Sequence, residues 1–459
     1  MLQPSDQDLW FVPLGGTGEI GMNLNLYGHN ASWLMVDCGV SFDEPLQPPY
    51  LNGEVRESPQ ATRHSVVAPK PDFIAKQKDA LAGIVITHAH EDHLGAIPYL
   101  WERFKKPIYT TAFTAEVLRR KLARSKLLNK VPIIEVSSGE THQIGPFSVK
   151  WLAITHSLPE PFALKITTDV GTVLHTADWK MDANPITGQP FDNQLYKALA
   201  KENILALVGD STNAPKPGFS VSERNCYDGL LNTIAPLRGR VVVGCFGSNI
   251  ARLISLARVA KNTKRYFGLY GRSLLNMYSI AKQQGIWPTD LEVADPSHLG
   301  YLPPNEVLAV ATGSQGERNA ALSRLAMDTF PHLQLEKGDT VLFSSIIIPG
   351  NEESVRKLNE AFRAKGISVR HSEDSPLPIH ASGHPCAEEL KLMYHWVKPQ
   401  IAIPVHGEAM HLQAHANIAR ECGITKFYVG RNGDLYRLAP QPSIRRQVIP
   451  VGRIPLGVD

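Results

Sequence analysis

Cysteine is scarce and unpatterned in this sequence. Five residues, Cys38, Cys226, Cys245, Cys386 and Cys422, are scattered through 459, with no C-x-x-C pair. An odd, dispersed set excludes a disulfide framework and a cysteine zinc site, and it fits a reducing, cytoplasmic setting. Long apolar runs are missing as well. None reaches the length of a membrane span, and Met1–Asp6 has neither the basic nor the apolar stretch of a leader peptide. No membrane partner is therefore expected. Charge of one sign is not in excess either: the formal net charge of +3 neither demands nor excludes a nucleic-acid partner. What remains is ordinary globular composition, 43% hydrophobic and 20% charged, in a chain long enough for two or three domains.

Against that plain background one stretch concentrates chemistry: Thr87-His88-Ala89-His90-Glu91-Asp92-His93-Leu94-Gly95. Upstream, Gly83-Ile84-Val85-Ile86 is short, apolar and β-branched, the pattern of a buried strand. Downstream, Gly95–Trp101 reads as the start of a helix. The polar cluster thus sits on the loop at the carboxyl end of a strand, where α/β sheets place their sites. In an extended segment His88 and His90 point the same way and can grip one metal from one side. Asp92 and His93, at the turn into the helix, can aim at a second. Imidazole and carboxylate donors suit Zn²⁺ or a similar divalent ion. A lone histidine is more often a packed core residue; H-x-H-x-D-H after an apolar strand is not.

Several other strands end in polar residues. Trp33–Gly39 ends in Asp37, Phe147–Ile154 in Thr155-His156-Ser157, Thr172–Lys180 in Asp178, and Leu205–Ala214 in Asp210-Ser211-Thr212-Asn213. His175 falls mid-strand and reads as a packing residue. Gly15–Gly21 follows a first strand, Leu9–Leu14, but lacks the G-x-G-x-x-G frame and the lysine of a phosphate loop. A tight turn that lets backbone approach a site is the better reading. Residues 43–70 read as an irregular surface loop. A helix over Thr114–Lys126 carries Arg119, Arg120, Lys121, Arg124 and Lys126. A solvated face explains it more economically than a phosphate-tracking one.

The central motif resembles the metallo-β-lactamase superfamily in its dinuclear hydrolase branch. The resemblance implies an Asp before the motif that orients a ligand, met by Asp37, and then a His, an Asp and a His after it. His156 and Asp178 meet the first two, with Asp178 bridging two metals. The last is delayed to His406 in Pro404-Val405-His406-Gly407-Glu408, and the interval has its own α/β rhythm. Within the interval the resemblance sharpens to the β-CASP nucleases, and among them to the ribonuclease J family. Gly209-Asp210-Ser211-Thr212-Asn213 looks like their motif A, His384 in His380-Ala381-Ser382-Gly383-His384 like motif B, and His406 like motif C. Ala311–Glu317 also resembles a loop of that family. The expected fold is α/β: a metallo-β-lactamase αββα sandwich with an inserted α/β β-CASP domain. The expected boundaries are 1–210 and 373–459 for the sandwich and 211–372 for the insertion. Family members usually carry a further C-terminal domain that these residues do not include, so a monomer or weak homodimer is expected.

The resemblance implies one metal on His88, His90, His156 and shared Asp178, and the other on Asp92, His93, Asp178 and His406. Zn²⁺ is expected, with Mn²⁺ as substitute. His384, oriented or charged by Asp210, is the candidate to assist the leaving oxygen, and His380 the candidate to contact a nearby phosphate. The implied activity is metal-dependent hydrolysis of single-stranded RNA, 5′-to-3′ with some internal cutting, in RNA processing and decay. A pocket for a 5′-phosphate is expected from three loops that carry Ser248 and Asn249, Ser314, and Ser382 and Gly383, since small residues and backbone N–H groups surround anions closely. Three other readings are open to test. A small-molecule hydrolase of this fold lacks the long insertion. DNA-processing β-CASP enzymes typically carry an aliphatic residue at motif C. A catalytically dead RNA-binding scaffold loses ligands, and none is lost here.

Overall fold

The computed structural model describes residues 2–43, 65–348 and 350–457. Two sheets face each other. The first has eight strands in the order Ser443–Arg445, Leu435–Ala439, Leu9–Gly15, Leu24–His29, Ser32–Val36, Leu81–Val85, Ile108–Thr110, Ile133–Glu135. The second has seven: Lys426–Phe427, Ile401–Val405, Ala206–Asp210, Gly171–His175, Phe162–Thr168, Phe147–Ala153, Thr141–Ile144. Alternation along these strands sends one set of apolar side chains inward. Phe11, Tyr27, Leu34 and Val85 from the first sheet meet Trp151, Leu164, Val208 and Ile403 from the second, all fully buried.

The opposite set needs cover, which helices supply. Ile97–Phe104 and Ala112–Arg124 lie over the first sheet, with Trp101, Phe104 and Leu118 packed against the cluster that holds Val12, Leu26 and Trp33. Asn193–Ala198, Ala387–Val397 and Ala409–Glu421 cover the second. The result is the expected αββα sandwich.

A third, five-stranded sheet stands apart and is wholly parallel: Tyr266–Tyr270, Val307–Ala311, Val241–Gly244, Thr340–Phe343, Ser368–Arg370. Its three inner strands are buried along their whole length, as a sheet sandwiched by helices requires. Ile250–Asn262 and Arg272–Gln283 cover one face, Ala321–Ala326 and Glu352–Ala364 the other. The last strand of the sandwich before the insertion is Ala206–Asp210, and the next after it is Ile401–Val405. These two strands are parallel neighbours, with Asp210 opposite Val405. An insertion between adjacent strands therefore leaves Asp210 and His406 side by side, however long it is.

Two local readings change. Gly171–His175 ends before Asp178, which sits on the following loop rather than in the strand. Ala177 there has φ 51, a left-handed turn that closes the ladder early. Ser65–Pro69 is a strand paired with Ser41–Asp43 and Arg453–Pro455, so the tail of the 43–70 segment is ordered; residues 44–64 lie outside the described residues. His175 is a packing residue, with its Nδ1 2.9 Å from the Tyr27 hydroxyl between the sheets. No helix among the described residues is long and apolar enough to cross a membrane.

Candidate metal centre

Loops at the carboxyl ends of five strands converge above the inter-sheet core. After Leu81–Val85 come Thr87 to His93, after Ser32–Val36 comes Asp37, and after Phe147–Ala153 comes His156. Asp178 follows Gly171–His175, and His406 follows Ile401–Val405. Among the described residues three quartets of donor atoms result, the members of each within 4.8 Å of one another: His88, His90, His156 and Asp178; Asp92, His93, Asp178 and His406; and Asp178, Asp210, His384 and His406. Asp178 belongs to all three, and the first two are the expected ligand sets. In the first, His90 Nδ1 lies 3.1 Å from both His88 Nε2 and His156 Nε2. Asp178 Oδ2 completes that set, 3.8 Å from each of those Nε2 atoms. In the second, His93 Nε2 is 3.3 Å from Asp178 Oδ2 and 3.5 Å from Asp92 Oδ2, and His406 Nε2 is 3.4 Å from Asp92 Oδ2.

The outward nitrogens are all engaged, which fixes each ring. His156 Nδ1 donates to the Gly383 carbonyl at 2.6 Å. His93 Nδ1 donates to Asp37 Oδ2 at 2.8 Å. His88 Nδ1 is 3.0 Å from Thr87 Oγ1, and the Thr87 N–H and hydroxyl both donate to Asp37. His406 Nδ1 donates to Asp178 Oδ1 at 2.8 Å. Gly383 must be glycine: a Cβ there would stand 2.5 Å from the His156 ring. The backbone is strained where it serves the cluster. Asp37, Ala177 and His406 hold φ of 66, 51 and 52, a conformation that costs non-glycine residues about 1–3 kcal/mol each.

Electrostatics divide the rings. Burial, with neighbouring imidazoles, pushes His88 and His156 well below the ordinary histidine range, and burial takes His90 to about 4. These three are neutral, as metal ligands must be. Burial also opposes charge on His93 and His406, but the carboxylates around them outweigh it. Asp178 is foremost, and it raises His406 to about 9. Without a cation the protein therefore gathers protons where two or three carboxylates meet. One atom of the cluster is left over: His406 Nε2 is buried with no hydrogen-bond partner among the described residues and faces Asp92. A divalent cation on the second quartet would supply that partner, so the residues fit the metals that the chemistry calls for.

Next to the expected ligand sets, His384 Nδ1 donates to Asp210 Oδ2 at 2.8 Å and lies 3.8 Å from Asp178 Oδ2. Burial opposes its protonation; Asp210 and Asp178 prevail and raise its pKa. Asp210 in turn accepts from Thr212 N and Oγ1 at 2.9 and 2.8 Å. His384 is the more open member, with 21% of its side chain exposed against 0% for Asp210.

The remaining expected residues are spread around this centre. His90 opens onto a cleft of about 1110 Å³ between the sandwich and the insertion, which Ser248 also lines. Arg120, Lys121, Arg124, Arg272 and Arg324 face it, opposed by Glu91 and Glu317. The basic helix is thus partly seam and partly cleft wall: Arg120 reaches Asn276 and Gln283 across it, and Lys121 pairs with Glu91. Asn249 caps Ile250–Asn262 and donates to Glu223, so its carboxamide is already committed. Ser314 is buried behind Gly244. Ser382 Oγ accepts from Asn213 at 2.8 Å. His380 is held through Nδ1 by the Ser344 carbonyl at 3.3 Å. Sequence reasoning missed Asn23, whose Nδ2 approaches His93 Nε2 at 3.2 Å and the Asp92 carbonyl at 3.1 Å. The role of Thr87 was missed too. Only its place beside the motif could have marked it.

Residues 21–200 match the family model of the metallo-beta-lactamase superfamily, 238–361 that of the ribonuclease J beta-CASP domain, and 378–429 that of the Zn-dependent metallo-hydrolase RNA specificity domain. The chain is 42% identical over 453 residues to "Ribonuclease J" of Sinorhizobium meliloti, covering 98% of this chain and 78% of that protein. It is 36% identical over 442 residues to "Ribonuclease J 1" of Streptococcus pyogenes, covering 95% and 75%. A crystal structure of a protein of unknown function from Enterococcus faecalis V583 superposes with a TM-score of 0.63 over 94% of this chain and 100% of that one. At 14% identity that likeness is one of fold alone. Ligand geometry, the inserted parallel sheet and near-full-length identity agree: the chain belongs to the ribonuclease J family of metal-dependent hydrolases.

Proposed function

We propose that this protein is a dinuclear-zinc ribonuclease that degrades single-stranded RNA from a 5′-monophosphate end and also cuts internally, with Mn²⁺ as a substitute metal. The observation that supports it most is the sharing of Asp178 between two quartets at the foot of a basic cleft. Bound there, two divalent cations lower the pKa of water and neutralise the charge that builds on a phosphodiester in transit. The chain's own residues do the rest. Asp37, Thr87 and Gly383 engage the outer nitrogens of three imidazoles, which leaves their inner nitrogens aimed at where the cations would bind. His384, aimed by Asp210 and with its pKa raised against burial by Asp210 and Asp178, is placed to give a proton to the leaving oxygen. Arg120, Arg124, Arg272 and Arg324 attract the phosphate backbone.

The 5′-phosphate would lie among Ser248, Ser382, Gly383 and the Ser314 loop, with His380 alongside. Asn249 would act there by fixing the helix that follows Ser248. We take 1–210 and 373–459 as the sandwich and 211–372 as the β-CASP insertion, and expect a cytoplasmic monomer or weak homodimer. Chelation tests the reading: stripped protein should lose RNA hydrolysis and regain it with Zn²⁺ or Mn²⁺, and full activity without metal would overturn it.

A further inference from the structure

The glycine-rich loop Gly15–Gly21 has no part in the mechanism above, yet it grips the strand end that carries His406. The Gly16 carbonyl accepts from His406 N at 2.7 Å, and Gly18 N donates to the Gly407 carbonyl at 3.0 Å. Thr17 and Glu19 both form bridges to Gly407. These bonds hold His406 at φ 52, the strained conformation that turns its Nε2 into the second quartet. The loop also touches the other side of that quartet. Gly16, at φ 83, leaves room for Asn23: a Cβ would stand 2.1 Å from Asn23 Oδ1. Asn23 in turn donates to the Asp92 carbonyl at 3.1 Å and meets His93 Nε2 at 3.2 Å. The loop thus holds His406 by direct backbone bonds and packs against Asn23, which contacts Asp92 and His93; among the described residues it makes no such bond to His88, His90 or His156.

The loop is fastened from outside by Asn432 and, through Glu19, by Arg453. Asn432 Oδ1 accepts from Thr17 N at 2.9 Å, and Asn432 N donates to the Thr17 carbonyl at 3.0 Å. Its Nδ2 donates to Glu19 Oε1, and Glu19 Oε2 pairs with Arg453 at 2.7 Å. Asn432 lies 26 positions after His406 and is no ligand.

We propose that Asn432 is a positioning residue for the second metal: by stapling the Gly15–Gly21 loop it sets the affinity of the Asp92–His93–Asp178–His406 site and leaves the first site alone. The proposal rests on the two-metal reading above. The strained His406 backbone is stored in the native state and needs an over-determined surround. Removing the staple lets the loop and His406 relax together, and a ligand whose aim drifts loses affinity on the scale seen for outer supports of metal ligands, about 10–100-fold.

The experiment is calorimetric titration of Zn²⁺ into chelator-stripped full-length protein, wild type and Asn432→Ala, with unfolding temperature measured on each. Wild type should take two ions per chain. Asn432→Ala should take one with unchanged affinity and the other about 10–100-fold more weakly. A wild type that takes one ion refutes the two-metal reading itself. A variant that binds both ions as wild type does, or weakens both equally, overturns the role of Asn432. Glu19→Ala loosens the same staple at a partly exposed position and is read by the same criteria where Asn432→Ala unfolds below the titration temperature.

Discussion

Asp37→Asn is the sharpest perturbation of the site that leaves its shape intact. Asp37 is 1% exposed and sits at φ 66, a conformation that Asn tolerates. Its Oδ1 accepts from Thr87 N at 2.8 Å and its Oδ2 from His93 Nδ1 at 2.8 Å; the Thr87 hydroxyl reaches both oxygens at 3.0 Å. Both sides therefore need acceptors, and an amide supplies only one. With its carbonyl toward Thr87, the amide N–H₂ confronts His93 Nδ1. That ring must then carry its proton on Nε2, the nitrogen that faces Asp92 and Asp178. A protonated Nε2 has no lone pair for a metal. A ring that instead keeps its Nδ1 proton meets an opposed donor, which costs folding about 1–3 kcal/mol. One ion should bind about 10–100-fold more weakly, or about 1.4–2.7 kcal/mol. Stepwise Zn²⁺ titration of stripped protein reads the affinity, and urea unfolding reads the stability. Two ions bound with wild-type affinities would refute the assignment of His93 as a ligand oriented by Asp37.

His384→Ala should keep both metals and RNA binding while turnover at saturating RNA falls by roughly 10²–10⁴-fold, as for acid–base groups elsewhere; an unchanged rate removes it from the mechanism. Arg252→Ala breaks a fully buried pair in the insertion, where Arg252 bonds Glu223, Ser344 and the Ile379 carbonyl. It should cost about 3–5 kcal/mol in urea unfolding, because Glu223 is left buried and uncompensated. A loss under 1 kcal/mol would show that water reaches the pair. Light scattering at low micromolar concentration should give one chain or an exchanging pair; a stable tetramer would contradict that expectation.

Much of this centre was legible in the sequence because its side chains sit where strand patterns stop. Asp37, His88 to His93, His156, Asp210 and His406 each follow an apolar run, and period-two alternation marks those ends without further information. Asp178 was found by residue type and order, although its strand closes three residues earlier than alternation suggested. The supports were not legible. Asn23, Thr87 and Asn432 act through hydrogen bonds across 69, 50 and 415 positions, and their own residue types do not distinguish them from other polar turn residues. The basic helix was legible as charge but not as geometry. Whether Arg120 faces water or the insertion depends on how two units pack, and the helix's own spacing carries no trace of that. Ser314 and Asn249 show the same limit from the other side: loop chemistry suited to an anion is partly spent on holding the loops themselves.

Digestion of one labelled RNA prepared with three different 5′ ends tests the central claim most directly. The account predicts metal-dependent release of mononucleotides from the 5′-monophosphate form. The 5′-triphosphate, bulkier and more highly charged, should be degraded poorly from its end, and the 5′-hydroxyl form lacks the group that the pocket holds. Equal release from all three, or internal cuts alone, would contradict a 5′-phosphate pocket among Ser248, Ser382 and Gly383.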